Sequence, residues 1–235
     1  MWDARVQLHW AAQIPAGVGR TLIPQREDDS NTAFTWDARQ LALMQEPAGG
    51  KRAGIRLRDL RLLVDDEPFP LRGRTLDEGF AFVEARVGAK LKRPDVELPD
   101  HPVAHGAKFD ADREHLDMLV DCYASTEAIL GDIVRNDAAA GPVLCWPHHF
   151  DLATLLTLGG GKTIGAGFAP GDDGIRESYW YVNLWPYPDP ARLQPLRDGR
   201  WHTDGWTGAV LPSSAGPERA SAFIRDAIAR CRALF

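Results

Sequence analysis

Cys145-Trp146-Pro147-His148-His149-Phe150-Asp151 sets two imidazoles and a carboxylate beside a Trp-Pro pair. Imidazoles titrate near neutral pH, and a carboxylate next to one can orient it as a general base. In an extended strand alternate side chains share a face. His149 and Asp151 would then point the same way, while His148 turns to the other side with Trp146, Phe150 and Leu152. The expected acid–base pairs are His149 with Asp151 and, downstream, His202 with Asp204. No Gly-x-Ser-x-Gly elbow accompanies them, and Cys145 carries no signature of a nucleophile.

His149, Asp151 and His202 also have the ligand types of a two-histidine, one-carboxylate metal site. An oxygenase that uses an oxoacid would need a basic residue soon after the distal histidine, and Thr203 to Ser214 contains none. A third reading rests on the tryptophans. Five of the eight lie between Trp146 and Trp206, in the same stretch as three of the seven histidines. Trp146, Trp180 and Trp206, with His148, would wall a site for a flat organic ligand. Near the N-terminus, Trp2, Val6, His9 and Gln13 share one face of a short helix that Pro15 interrupts, so His9 and Gln13 are expected to contribute. The bland alternative stays open: the aromatic residues fill a seam between sheet and helices in a non-catalytic structural or interaction protein.

Gly159-Gly160-Gly161-Lys162-Thr163 looks like the end of a phosphate-binding loop, but position 156 is Leu where that motif needs Gly. A hairpin turn is the simpler reading. Asp172-Asp173-Gly174 reads as a turn with too few oxygen ligands for calcium. Arg56 and Arg58 alternate with Ile55 and Leu57, the pattern of a strand with one wet face.

The chain has 235 residues, 44% hydrophobic and 26% charged, the composition of a globular protein. Its net charge of −6 argues against nucleic acid or an anionic membrane as partner. No segment approaches the roughly 18 apolar residues of a membrane span. Met1-Trp2-Asp3-Ala4-Arg5 lacks the basic head and apolar run of a secretion signal, so a cytoplasmic location is expected. Three cysteines without Cys-x-x-Cys spacing support neither a disulfide framework nor a zinc knot.

The elements that would position these residues follow from periodicity. Helices are expected from Asp110 to Arg135, from the Thr75-x-x-Glu78 capping box through Leu76, Phe80, Val83, Val87 and Leu91, and from Pro217 with Ala220, Phe223, Ala227, Cys231 and Leu234 inward. Strands are expected at 33–36, 41–44 and 55–64, then at 143–158, 163–168, 179–185 and 207–211, with His202 in a loop. Strands grouped between helices indicate an α+β fold with mainly antiparallel sheet and flanking helices. The order is helix, strands, helix, twice over, which points to an internal duplication without a residue-level repeat. One domain over 1–235 is expected, with its half-boundary in the Pro-rich connector 93–109.

Several stretches resemble an uncharacterised bacterial family of domains of unknown function. His9-Trp10-Ala11-Ala12-Gln13-Ile14 is similar to its His-x-Trp-x-Gln-Ile opening. Gly141-Pro142-Val143 with Phe150-Asp151-Leu152-Ala153 is similar to its Ser-Pro-Val…Phe-Asp-Leu-Ala strand. Gly167-Phe168-x-Pro-Gly171, Glu177 and Tyr181 are similar to a Gly-Phe-x-Pro-Gly…Glu-Pro-x-Phe-Tyr segment. The resemblance implies no activity. It places Asp151 in a shared scaffold or site and makes His148-His149, where the family has Gly-Ser, a local feature.

Overall fold

The computed structural model describes residues 2–65, 67–172 and 174–235, so Asp173 of the expected Asp172–Gly174 turn lies outside the described residues. The fold is α+β, with four α-helices and eleven strands among the described residues. The chain divides into two compact units, 1–124 with 144–150, and 125–143 with 151–235.

The first unit opens with α1 (Trp2–Leu22). Then come β1 (Phe34–Asp37), β2 (Ala42–Gln45), β3 (Ala53–Arg56), β4 (Arg61–Val64), β5 (Glu67–Pro70) and α2 (Leu76–Val87). The unit also holds the first half of α3 (Arg113–Asn136) and the short β6 (Leu144–Trp146). Its strands run β6-β1-β2-β3-β4-β5, an antiparallel meander with β6 added beside β1. The expected single strand 55–64 is two strands. Leu60 in the turn between them takes a left-handed φ of 51°, while Arg56 forms a partly buried pair with Asp59 and Arg58 an exposed one with Asp117.

α1 does not stop at Pro15 as the sequence suggested. A proline inside a helix costs about 3 kcal/mol through its lost hydrogen bond and ring clash. Ile14, Ala16 and Val18 around it are fully buried, and burying one such branched side chain contributes about 1.5–3 kcal/mol. Packing therefore outweighs the local penalty. Two glycines on α1 set what can lie against it. A Cβ on Gly19 would stand 2.1 Å from the Asn31 carbonyl oxygen, and one on Gly17 would stand 3.1 Å from that of Lys92. The chain segments around Asn31 and Lys92 can approach the helix because those Cβ atoms are missing.

The capping box expected at Thr75 is present. Thr75 Oγ1 accepts from Glu78 N, Glu78 Oε2 accepts from Thr75 N, and Gly88 closes α2 in the left-handed conformation. α3 begins three residues later than expected, because Asp112 receives His115 N while Asp110 N and Ala111 N donate to Gln7 Oε1. The Pro-rich segment lies wholly in this unit, along α1, where Trp10 Nε1 donates to Pro99 O at 2.8 Å.

The second unit contains the rest of α3, β7 (Asp151–Gly159), β8 (Lys162–Ala169), β9 (Tyr179–Trp185), β10 (Arg200–His202), β11 (Gly208–Pro212) and α4 (Pro217–Ala233). Its strand order is β10-β11-β9-β8-β7, again antiparallel. Both units share the helix–strands–helix order, but only the second places a later strand inside an earlier one. Gly159, Gly160 and Gly161 all have positive φ and close the β7–β8 hairpin, which fits the turn reading. Ala220, Phe223, Ala227 and Cys231 form the buried face of α4, and Arg225 and Arg232 tie it to Asp132 and Asp137. Burial pushes the Cys122 and Cys231 thiols up to about 11 and about 12, so both behave as small hydrophobes.

Candidate functional site

The segment expected as one strand, 143–158, is two strands joined by a turn over 147–150. His149 N and Phe150 N both donate to Trp146 O, at 3.2 and 2.7 Å, and Phe150 takes a left-handed φ of 57°. A non-glycine residue there is strained and persists only where its surroundings hold it. The Phe150 ring is fully buried, stacked 5.3 Å from His9 and tilted at 5.6 Å against Tyr123, whose hydroxyl donates to Phe150 O. Alternation of faces does not apply through such a turn. His149 is exposed on it, whereas Asp151 is buried as the first residue of β7.

α1 holds this turn through one atom. The Pro147 carbonyl accepts from His9 Nε2 at 2.8 Å and from Gln13 Nε2 at 2.6 Å. His9 Nε2 must therefore carry the proton, since a carbonyl only accepts. Its Nδ1 is buried without a hydrogen-bond partner among the described residues. Burial foremost, then the nearby Arg5 cation, pulls the His9 pKa down to about 3, so the ring is neutral. Gln13 Oε1 and its backbone carbonyl in turn accept from the Arg20 guanidinium, two helical turns further on. His9, Gln13 and Arg20 thus form a connected polar line along α1.

This line backs a cleft of about 470 Å³ in the first unit. Pro147 and His148 form one wall, Thr32 and Asp29 another, and Lys92, Arg93, Asp95 and Val96 a third, with Arg20 also exposed to the cavity. Gly19 seats the Asn31–Thr32 wall on α1 and Gly17 seats the Lys92 wall, where Lys92 N donates to Thr21 Oγ1 at 2.9 Å. Burial lowers the Arg20 pKa to about 10, opposed by the negative charge of Asp95, which leaves the group protonated at neutral pH.

The other residues expected at a site lie elsewhere. Trp146 is half-buried in the first unit and its Nε1 donates to Asp28 O at 3.3 Å. Trp180 is core of the second unit, 2% exposed, donating to Thr126 Oγ1. Trp206, His202 and Asp151 do gather in the second unit, around Tyr181. The Tyr181 hydroxyl donates to Asp151 Oδ2, Trp206 meets the Tyr181 ring edge-on at 6.3 Å, and His202 lies 4.6 Å from Trp206. His202 closes β10 and its Nε2–H is committed to Asp204 O, not to the Asp204 carboxylate expected as its partner. Gly167 makes this cluster possible, since a Cβ there would stand 2.9 Å from the Tyr181 hydroxyl.

Among the described residues, no three His, Cys, Asp or Glu side chains are grouped to hold a metal ion. Of the expected metal set, His149 belongs to the first unit and Asp151 and His202 to the second. Arg20 lies beyond Pro15, where the sequence predicts an interruption of the helix, and so stands outside the expected site residues. Spacing could have found it: Gln13 and Arg20 are seven residues apart, two turns on one face. No helix of the described residues is long and apolar enough to cross a membrane. Comparisons with protein-family models, curated proteins and solved structures returned no match.

Proposed function

We propose that the protein binds a small organic molecule in the cleft walled by Pro147 and His148, acting in the cytoplasm. The observation that carries this reading is the doubly held Pro147 carbonyl. Two buried side chains of α1 are spent on fixing one turn, and that turn presents His148 at the cavity. Buried polar groups arranged to orient a wall are what a preformed ligand site requires. The cavity volume of about 470 Å³ falls within the range of small-molecule sites. The resemblance to an uncharacterised bacterial family adds no activity to this reading. The aromatic seam expected as the alternative is represented by Trp180, whose role is core packing.

The test uses the full chain and a library of organic acids, amino acids, sugars and nucleosides, read by calorimetry and thermal shift. At least one compound is expected to bind the wild type and to lose binding in Val96→Phe, which adds bulk at an exposed wall position. Silence across the library, or binding unchanged in that variant, would remove the cleft as the site and favour the interaction-protein reading.

A further inference from the structure

Arg20 lines the cleft with no carboxylate within 4 Å among the described residues, and its guanidinium donates to Gln13 Oε1 and to the Gln13 carbonyl. Its Nε is buried and has no hydrogen-bond partner among the described residues. A guanidinium is planar and cannot shed its charge, so a partly buried one normally meets a carboxylate or phosphate. Several arginines of the first unit follow that rule: Arg56, Arg58, Arg61, Arg74 and Arg86 each pair with an acidic side chain, whereas Arg72 donates to the Asp110 and Ala111 carbonyls. Arg20 does not, although the chain as a whole is acidic.

Two further cations share the cavity. Lys92 has no acidic partner among the described residues, whereas Arg93 is taken up by Asp77 at 2.9 Å and lies over the Phe80 ring at 3.7 Å. Two acids oppose them. Asp29 accepts from Gln25 Nε2, and Asp95 acts on Arg20 only at longer range. Arg20, Lys92 and Arg93 against Asp29 and Asp95 leave the lining one formal positive charge, in a protein of net charge −6.

From this geometry we infer that the ligand of the cleft is a small carboxylate, its oxygens received by Arg20 with Lys92 at the rim. The inference rests on the cleft being the binding site and names the chemistry it selects. Asp29 and Asp95 set the upper limit on charge. A polyphosphate would bring its extra charges against both acids, while a carboxylate places its negative end at Arg20 and its remaining atoms between Thr32 and His148.

The experiment uses the intact chain with matched probes: succinate, its neutral diamide, putrescine, inorganic phosphate and pyrophosphate. In nitrogen-15-labelled protein the Arg20 Nε–H resonance, identified by its loss in Arg20→Lys, is followed during each titration. Succinate is expected to move it saturably and the diamide and putrescine to leave it in place. Phosphate and pyrophosphate are expected to bind no more tightly than succinate. Arg20→Met is expected to weaken succinate by about tenfold or more, with Arg20→Lys in between, since a charge-assisted hydrogen bond is lost in one and a point charge kept in the other. The wild-type comparison of succinate with its diamide stands even if a variant folds poorly. Binding of the diamide or putrescine as tight as succinate, or tighter pyrophosphate, would overturn the carboxylate inference. A neutral library compound lost in Val96→Phe but retained in Arg20→Met would overturn it too, while leaving the cleft as the site.

Discussion

The Nε2–H of His9 is committed to the Pro147 carbonyl, which leaves Nδ1 as a buried lone pair beside the Arg5 cation. The consequence for stability has a definite sign. The folded value of about 3 lies below the 6.5 of an unburied histidine, so the unfolded chain takes up a proton that the folded chain refuses. Nothing is lost above pH 6.5. As pH falls from there toward 3, the folded state loses up to about 1.4 kcal/mol per pH unit. The urea midpoint is expected to drop between pH 6.5 and 4.5, and the drop to shrink in His9→Gln, which keeps a donor for Pro147. A wild-type midpoint flat over that interval, or an equal slope in the variant, would contradict the neutral imidazole. The ion-paired carboxylates such as Asp117 and Asp132 titrate in a lower window, because Arg58 and Arg225 hold them below their usual range. His149 shows the opposite outcome at this scale. Its type and neighbours suggested a base oriented by Asp151, but one left-handed residue between them cancels the strand alternation that the pairing assumed.

Among the elements, those governed by local rules were readable in the chain. The α2 capping box, Pro217 at the start of α4 and the triple-glycine hairpin depend only on residues a few positions apart. Elements decided by tertiary packing were not. α1 runs through Pro15 because both sides of it are buried, and β5 escaped notice because Pro68 and Pro70 disfavour a strand except at an edge, where it lies. β10 is three residues long and leaves almost no periodicity to read. The same competition between local preference and packing separates Gly17 from Gly19. Replacing a helical glycine with alanine gains about 1 kcal/mol of helix propensity. At Gly17 the new methyl meets its nearest atom at 3.1 Å, and the gain and the crowding are expected to leave stability within about 1 kcal/mol of wild type. At Gly19 it would meet a backbone oxygen at 2.1 Å, so Gly19→Ala is expected to destabilise by about 2 kcal/mol or more. Chemical denaturation of both variants checks the ranking, and equal stabilities would show that the Asn31 wall is not seated as described.

At the scale of the whole molecule, the two units are not successive stretches of chain. Residues 144–150 return to the first unit, where Cys145 pairs with Phe34 and the Pro147 carbonyl takes up His9 and Gln13. A fragment of residues 1–124 would keep both donors and lose their acceptor. Each buried donor left unpaired costs about 1–3 kcal/mol, a large part of the roughly 5–15 kcal/mol that stabilises a typical domain. The fragment is expected to melt without a cooperative transition in circular dichroism. A sharp, reversible melt would show that the first 124 residues carry their own stability.

Pro147 has no N–H to offer, and its one carbonyl is already occupied on both lone pairs by imidazole and amide. Solvent finds no vacant acceptor on that peptide oxygen with which to loosen it. The rim bearing His148 is therefore shaped when the chain folds, and a visiting molecule need not organise it on arrival. Affinity at such a wall is limited by what the visitor itself must give up, its hydration and its own internal freedom.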